Sequence, residues 1–331
     1  MISNPHIAIL GSGSWATALA KIALCNQDRI HWFIRRQEVI DEFVKTGKNP
    51  TYLNNLRFDT NRIQFSADIN KVIAASDILI LAIPSPYIKQ SFKKIKRSLE
   101  NKIFISAVKG MIPDENVIVT DYLHEQFKIP VENLSIIAGP CHAEEIALER
   151  LSYLTIGCEH RETANQLAHI IETDYVRTMP SCDVAGLEYS SVMKNIYAIA
   201  AGICQGLRYG DNFQAVLISN AIQEIERFID AVCPAHRNID ASGYLGDVLV
   251  TCNSKFSRNR LFGQMIGMGY SVKSAQLEMQ MIAEGYYGTE AIHKANERIQ
   301  VSLPIVNAMY DILYKHQSPT IVIQELTTKL Q

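Results

Sequence analysis

Apolar residues in the first half of the chain come in short bursts. Ile7-Ala8-Ile9-Leu10, His31-Trp32-Phe33-Ile34, and residues 77–83, 102–107 and 135–138 each read as a strand. Helix-length stretches, such as residues 16–24 and 87–98, lie between them. Strand and helix in alternation imply parallel βαβ units and a doubly wound sheet. Residues 154–157 and 175–178 could extend the same sheet. Pro84 and Pro86 punctuate the loop after the third strand, at the carboxyl end where such sheets bind ligands. Near Gly186 the texture changes, and residues 187–204, 212–232, 261–268, 272–284 and a tail from Ile305 read as helices. The expected architecture is α/β: a Rossmann-like N-terminal domain over residues 1–186, then an all-helical domain over residues 187–331.

The first strand runs into Gly11-Ser12-Gly13-Ser14-Trp15-Ala16, a G-x-G-x-x-A turn that opens a helix. Gly11 suits a tight turn, Gly13 lets a pyrophosphate approach the backbone, and small Ala16 lets helix and strand pack closely. The helix start offers unpaired N–H groups and the positive end of its dipole to phosphates. Glycine turns join strands to helices in many folds, so this loop alone leaves nucleotide binding open.

Composition narrows the classes. The chain has 331 residues, 47% hydrophobic and 20% charged, with a formal net charge of −2. That balance gives no electrostatic case for nucleic acid or an anionic membrane as the main partner. Seven cysteines without a C-x-x-C pair argue against a disulfide framework and a zinc ribbon, so no metal site is expected. No apolar run approaches the length of a membrane span. Reduced thiols, no secretory signal and no span together read as cytoplasmic.

The second strand ends not in an acid but in Arg35-Arg36, with Glu38 the nearest carboxylate. Two guanidiniums suit a ribose 2′-phosphate, which favours NADP(H) while leaving NAD(H) open. A pair of solvated arginines is the alternative. Lys109 follows the fourth strand and lies at a carboxyl end of the sheet, where it is either a ligand or a solvated loop residue.

Lys194 is more telling. On a helix at about 100° per residue, Val192, Ile196, Ile199 and Ile203 form one stripe and Lys194 lies opposite. Its neighbours on that side, Ser190, Ala198 and Ala201, are all small, so another helix or a ligand approaches closely. A lysine kept dry beside a nicotinamide has its pKa lowered and can serve as general acid or base. Asp247 and Thr251, spaced i and i+4, share a helix face and could orient a lysine, or be a helix-start acid and a surface threonine. Ser257-Arg258-Asn259 supplies several donors suited to a phosphate.

Taken together, the chain resembles the bacterial-type NAD(P)-dependent glycerol-3-phosphate dehydrogenases. The resemblance runs through Gly11-Ser12-Gly13-Ser14-Trp15, Val108-Lys109-Gly110, Ala138-Gly139-Pro140, Val192-Met193-Lys194-Asn195, Leu245-Gly246-Asp247, Ser257-Arg258-Asn259-Arg260 and Glu284-Gly285-Tyr286. It implies interconversion of sn-glycerol 3-phosphate and dihydroxyacetone phosphate, supplying glycerol 3-phosphate for phospholipid synthesis. It implies that Lys194 moves the proton on the C2 oxygen, that Lys109 binds and polarises that oxygen, and that Asp247 and Thr251 support Lys194. By the same resemblance Gly139 and Cys141 contact substrate, and Ser257, Arg258 and Asn259 hold its phosphate. Ser14, Trp15, Arg35, Lys109, Ala143, Arg258, Ile282 and Glu284 fall where the family contacts cofactor. A homodimer is implied too.

Some positions depart from the family pattern. Cys141 stands where Ser or Thr is usual; a thiol is the weaker donor, so the backbone is expected to carry that contact. Ser190-Ser191, Gln205 and Asn220 stand where Gly-type, Asp and Arg residues are expected. A 3-hydroxyacid or 6-phosphogluconate-type dehydrogenase is the competing enzyme class, and a non-catalytic NADPH sensor the competing non-enzyme.

Overall fold

Ile7–Leu10 is β1, buried along its whole length, and the chain turns at Gly11 into α1 (Ser14–Asn26). β2 (Ile30–Phe33), α2 (Gln37–Thr46), β3 (Ile63–Ser66), α3 (Ile69–Ala74), β4 (Ile78–Leu81), α4 (Ser85–Phe92) and β5 (Ile103–Ser106) follow. Then come α5 (Val119–Phe127), β6 (Leu134–Ala138), α6 (Ala143–Ala147), β7 (Ser152–Cys158), α7 (Arg161–Ile171) and β8 (Val176–Ser181). These elements belong to a computed structural model that describes residues 5–279 and 283–331.

The eight strands form one sheet in the order β3-β2-β1-β4-β5-β6-β7-β8. Every pairing is parallel except β6 with β7. β1, β4 and β6 are fully buried, as their unbroken apolar runs require when both faces of a parallel sheet are covered. Beneath β2, Trp32 meets Phe43, Phe58 and Phe65 at ring-centroid distances of 5.3, 5.8 and 5.7 Å. This aromatic cluster seats β3, a strand that the sequence reading did not include.

The chain forms two compact units, Met1–Val108 with Val119–Val184, and Lys109–Ile118 with Ala185–Gln331. The second is helical: α8 (Val184–Gly206), α9 (Asp211–Val232), α10 (Asp247–Asn253), α11 (Arg258–Gly267), α12 (Val272–Glu278), α13 (Glu284–Ile299), α14 (Pro304–Leu313) and α15 (Pro319–Thr327). Where one helix was expected over residues 272–284, α12 ends at Glu278 and α13 begins at Glu284. Ser257 and Ser271 cap α11 and α12 by accepting from the N–H groups of Arg260 and Ser274, and α14 and α15 each carry proline in the first turn.

α8 is the centre of this unit. Its stripe of Val192, Ile196, Ile199 and Ile203 is buried, and so is the opposite side of Ser190, Lys194, Ala198 and Ala201. Gly202 and Gly206 on α8 face Gly263 and Gly267 on α11. A Cβ at Gly202 would fall on the Arg260 carbonyl, and one at Gly263 on the Ile199 carbonyl, so the two backbones touch directly. The same closeness joins α13 to α8, because a Cβ at Gly285 would stand 2.5 Å from the Asn195 carbonyl oxygen. α9 contributes Glu224, fully buried. Its carboxylate accepts from the N–H groups of Ile305 (2.5 Å) and Val306 (3.3 Å), which start α14, and from the Tyr197 hydroxyl (3.2 Å).

Candidate active site

In the sheet unit the glycine turn is built for close approach. Gly11 has φ +132°, and a Cβ there would sit 2.5 Å from the Ala82 carbonyl oxygen, so only glycine fits. Gly13 is the N-cap of α1, and a Cβ added to it would meet nothing within 4 Å. No side chain caps α1 and no acid lies in its first turn, an arrangement that favours an anion at this helix start. Gly11, Gly13 and the buried Ser14 thus fit a dinucleotide pyrophosphate, and Trp15 stands beside them in the first turn.

Two residues that the sequence reading did not single out brace the turn. Trp32 Nε1 donates to the Gly11 carbonyl at 2.7 Å. Asn49 Nδ2 donates to the Ser12 carbonyl at 3.1 Å and to Thr17 Oγ1 at 2.8 Å. Arg35 and Arg36 are exposed beyond β2, and Arg36 Nε lies 3.7 Å from Glu38 Oε1. A pair so exposed is weak, so both guanidiniums stay available to a phosphate.

After β6, Gly139 has φ +107°, with Tyr153 O 2.8 Å from where a Cβ would stand. The Cys141 thiol donates to the Gly139 carbonyl at 3.2 Å, and Ala143 opens α6. The thiol thus serves the loop's own backbone. Ile282 lies outside the described residues.

The helical unit gathers the other candidates. Lys194 (α8) and Asp247 (α10) are 2% and 1% exposed, and Lys194 Nζ donates to Asp247 Oδ1 in a buried ion pair. A π-helical turn, Ser242–Gly246, leads into α10; such turns recur at functional sites. Thr251 does not reach the lysine through a bond of its own, for its hydroxyl donates to the Asp247 carbonyl at 2.6 Å and ties down that turn of α10. Burial pushes the nearby Cys252 thiol up to about 12, so it remains a neutral thiol beside the pair.

A chain of amides links the remaining candidates. Asn195, next to Lys194, donates to the Lys109 carbonyl at 2.9 Å. Its Oδ1 accepts from Asn259 Nδ2 at 2.9 Å, and Asn259 Oδ1 accepts from the Gly285 N–H at 2.9 Å. One relay therefore holds Lys109, the start of α11 and the start of α13, where Glu284 stands. Asn259 keeps one N–H for a ligand. Ser257 caps α11, Arg258 is exposed in its first turn, and no acid lies in that turn, an arrangement that favours an anion. Asn195 appears in the sequence only as the neighbour of Lys194; nothing local announces its partners 86 and 64 residues away. Among the described residues no group of three His, Cys, Asp or Glu side chains could hold a metal ion, and no helix is long and apolar enough to cross a membrane.

A glycine cradle on a doubly wound sheet and a buried lysine–aspartate pair in a helical unit define a nucleotide-dependent dehydrogenase of the Rossmann class. Family models for the N-terminus and C-terminus of NAD-dependent glycerol-3-phosphate dehydrogenase match residues 6–164 and 183–324. A glycerol-3-phosphate dehydrogenase (NAD(P)+) of Clostridium botulinum is 31% identical over 97% of this chain and 96% of its own length. One of Chlorobium limicola is 30% identical, with 98% of each chain covered. The crystal structure of glycerol-3-phosphate dehydrogenase from Coxiella burnetii superposes with a TM-score of 0.89 at 26% identity, over 98% of this chain and 99% of that one. The chain belongs to the NAD-dependent glycerol-3-phosphate dehydrogenase family.

Proposed function

We propose that the protein interconverts dihydroxyacetone phosphate and sn-glycerol 3-phosphate with NADP(H), accepting NAD(H) as well, and supplies glycerol 3-phosphate for phospholipid synthesis. The observation that carries this reading is the buried Lys194–Asp247 pair in a chain of this family. Residues 1–186 serve as the dinucleotide-binding part and residues 187–331 as the substrate and catalytic part. The bound nicotinamide supplies or takes the hydride at C2.

Gly11, Gly13, Ser14 and Trp15 hold the pyrophosphate side of the cofactor, and Arg35 and Arg36 take the 2′-phosphate. Lys109, Ala143, Arg258, Ile282 and Glu284 make further cofactor contacts. Lys194 gives its proton to the C2 oxygen during reduction and takes one back during oxidation. Asp247 fixes the ammonium and balances its charge in a buried place where an unpaired cation would be costly. Thr251 holds the Asp247 turn. Lys109 polarises the C2 oxygen, kept in place through its carbonyl by Asn195. Gly139 and Cys141 touch substrate through the loop backbone. Ser257, Arg258 and Asn259 hold the phosphate, aided by the α11 N-terminus. The reading includes a homodimer and a cytoplasmic location, the latter in keeping with seven cysteines of which none is joined to another in a disulfide.

The test is the initial rate of NADPH oxidation with dihydroxyacetone phosphate. Lys194→Ala is expected to lower kcat by about 10²–10⁴ while leaving NADPH binding intact. Full turnover in that variant, or 3-hydroxyacids as the better substrates of the wild type, would overturn the assignment. NADPH binding without any turnover would point to the sensor.

A further inference from the structure

Dihydroxyacetone phosphate has three polar handles, and the side-chain roles proposed above reach two of them. The phosphate goes to Ser257, Arg258 and Asn259, and the C2 oxygen to the two lysines. The C1 hydroxyl has no side-chain partner in that scheme, yet it is what separates this substrate from a simpler methyl ketone phosphate.

Two polar atoms of α8 are left over in the helical unit. Ser190 and Ser191 are each 1% exposed, and neither Oγ has a hydrogen-bond partner among the described residues. A serine inside a helix usually finds the carbonyl four residues back when nothing better is at hand. A buried hydroxyl left unbonded is costly, so such a group normally awaits a ligand or water.

Their places on the helix tell them apart. At about 100° per residue, Ser190 lies about 40° to one side of Lys194, and Ser191 about 60° to the other. Asn195 lies about 100° round on the side of Ser191. Asn195 is bonded to Asn259, so that side leads to the segment assigned to the phosphate. Helical side chains lean toward the N-terminus, which carries the Lys194 stem over the turn holding both serines. A substrate laid with its phosphate toward Asn259 and its C2 oxygen at Lys194 extends C1 the opposite way, toward Ser190.

We propose that the Ser190 hydroxyl hydrogen-bonds the C1 hydroxyl of the substrate and makes Ser190 a specificity-determining residue. The inference rests on the reaction and on the phosphate placement proposed above. Its test compares dihydroxyacetone phosphate with hydroxyacetone phosphate, which carries a methyl group where the first has its C1 hydroxymethyl.

In the wild type kcat/KM should be higher for dihydroxyacetone phosphate. Ser190→Ala should lower that value about tenfold and leave hydroxyacetone phosphate within about twofold, so the preference collapses. Ser191→Ala should keep the wild-type ratio. The ligand-free Tm of Ser190→Ala should equal or exceed that of the wild type, because the change removes an unbonded hydroxyl.

An unchanged ratio in Ser190→Ala overturns the inference. So does an equal fall for both substrates, which would mean a disturbed Lys194, a collapse in Ser191→Ala instead, or a lower Tm in Ser190→Ala, which would mean an internal partner. Any of these removes this inference alone. A wild type that reduces neither substrate removes the proposed function with it.

Discussion

Glu224 offers a test of the helical unit that needs no substrate. Burial is the main influence on its carboxyl and outweighs three hydrogen bonds and the nearby Arg227 guanidinium, all of which favour the charged form; the group is pushed from 4.5 up to about 7. The folded protein therefore binds this proton more tightly than the unfolded chain does. Between those two values the native state carries more protons, so stability must fall as pH rises. The contribution is complete below about pH 4.5 and gone above pH 7. Each tenfold in proton affinity is worth about 1.4 kcal/mol, so the whole displacement amounts to about 3 kcal/mol. About 2 kcal/mol of it falls between about pH 5.5 and pH 7.5. Urea unfolding of the wild type and of Glu224→Gln across that range isolates the group. The amide does not titrate, and its nitrogen cannot accept from Val306 N–H, so Glu224→Gln should be less stable at pH 5.5 and close much of the gap by pH 7.5. Two curves that stay parallel would refute the reasoning.

Gly263→Ala should lower stability by about 1–3 kcal/mol, because its methyl meets the Ile199 backbone rather than a side chain that can move; an unchanged Tm would show that α8 and α11 separate at little cost. Arg35→Asp combined with Arg36→Ser should reduce the NADPH/NADH preference in kcat/KM by about ten- to a hundredfold, as expected for lost charge-assisted contacts, and an unaltered ratio would remove both arginines from cofactor choice.

Much of the sheet is legible in the sequence because β1 and β4 are covered on both faces, and their strands are unbroken apolar runs. β3 is not, since Ile63-Gln64-Phe65-Ser66 is a short edge strand whose alternation is lost among polar neighbours. α2 hides for a related reason: Glu38, Asp41, Glu42 and Lys45 face solvent, and only Val39, Ile40 and Phe43 turn inward. Lys194 stands out in the sequence because small residues surround it where a solvated face would carry long polar ones. Asn49 and Asn195 do not. An amide's importance lies in its partners, and theirs come from turns and helices far along the chain. The four glycines joining α8 to α11 are visible as residues, yet their meaning appears only when the two helices are laid together.

The excursion of Lys109–Ile118 bears on how the gene can be divided. The chain leaves the sheet unit after β5, gives ten residues to the helical unit, and returns at Val119 to finish the sheet. No single scission releases both units whole. A fragment beginning at Ala185 loses Lys109 and leaves Asn195 Nδ2 only the longer bond to the Ser191 carbonyl within its own helix. A fragment ending at Val108 loses α5 and the strands from β6 onward. Swapping halves between relatives thus demands two junctions on one side, and a chimera joined only near Val184 combines a lysine from one parent with an asparagine from the other.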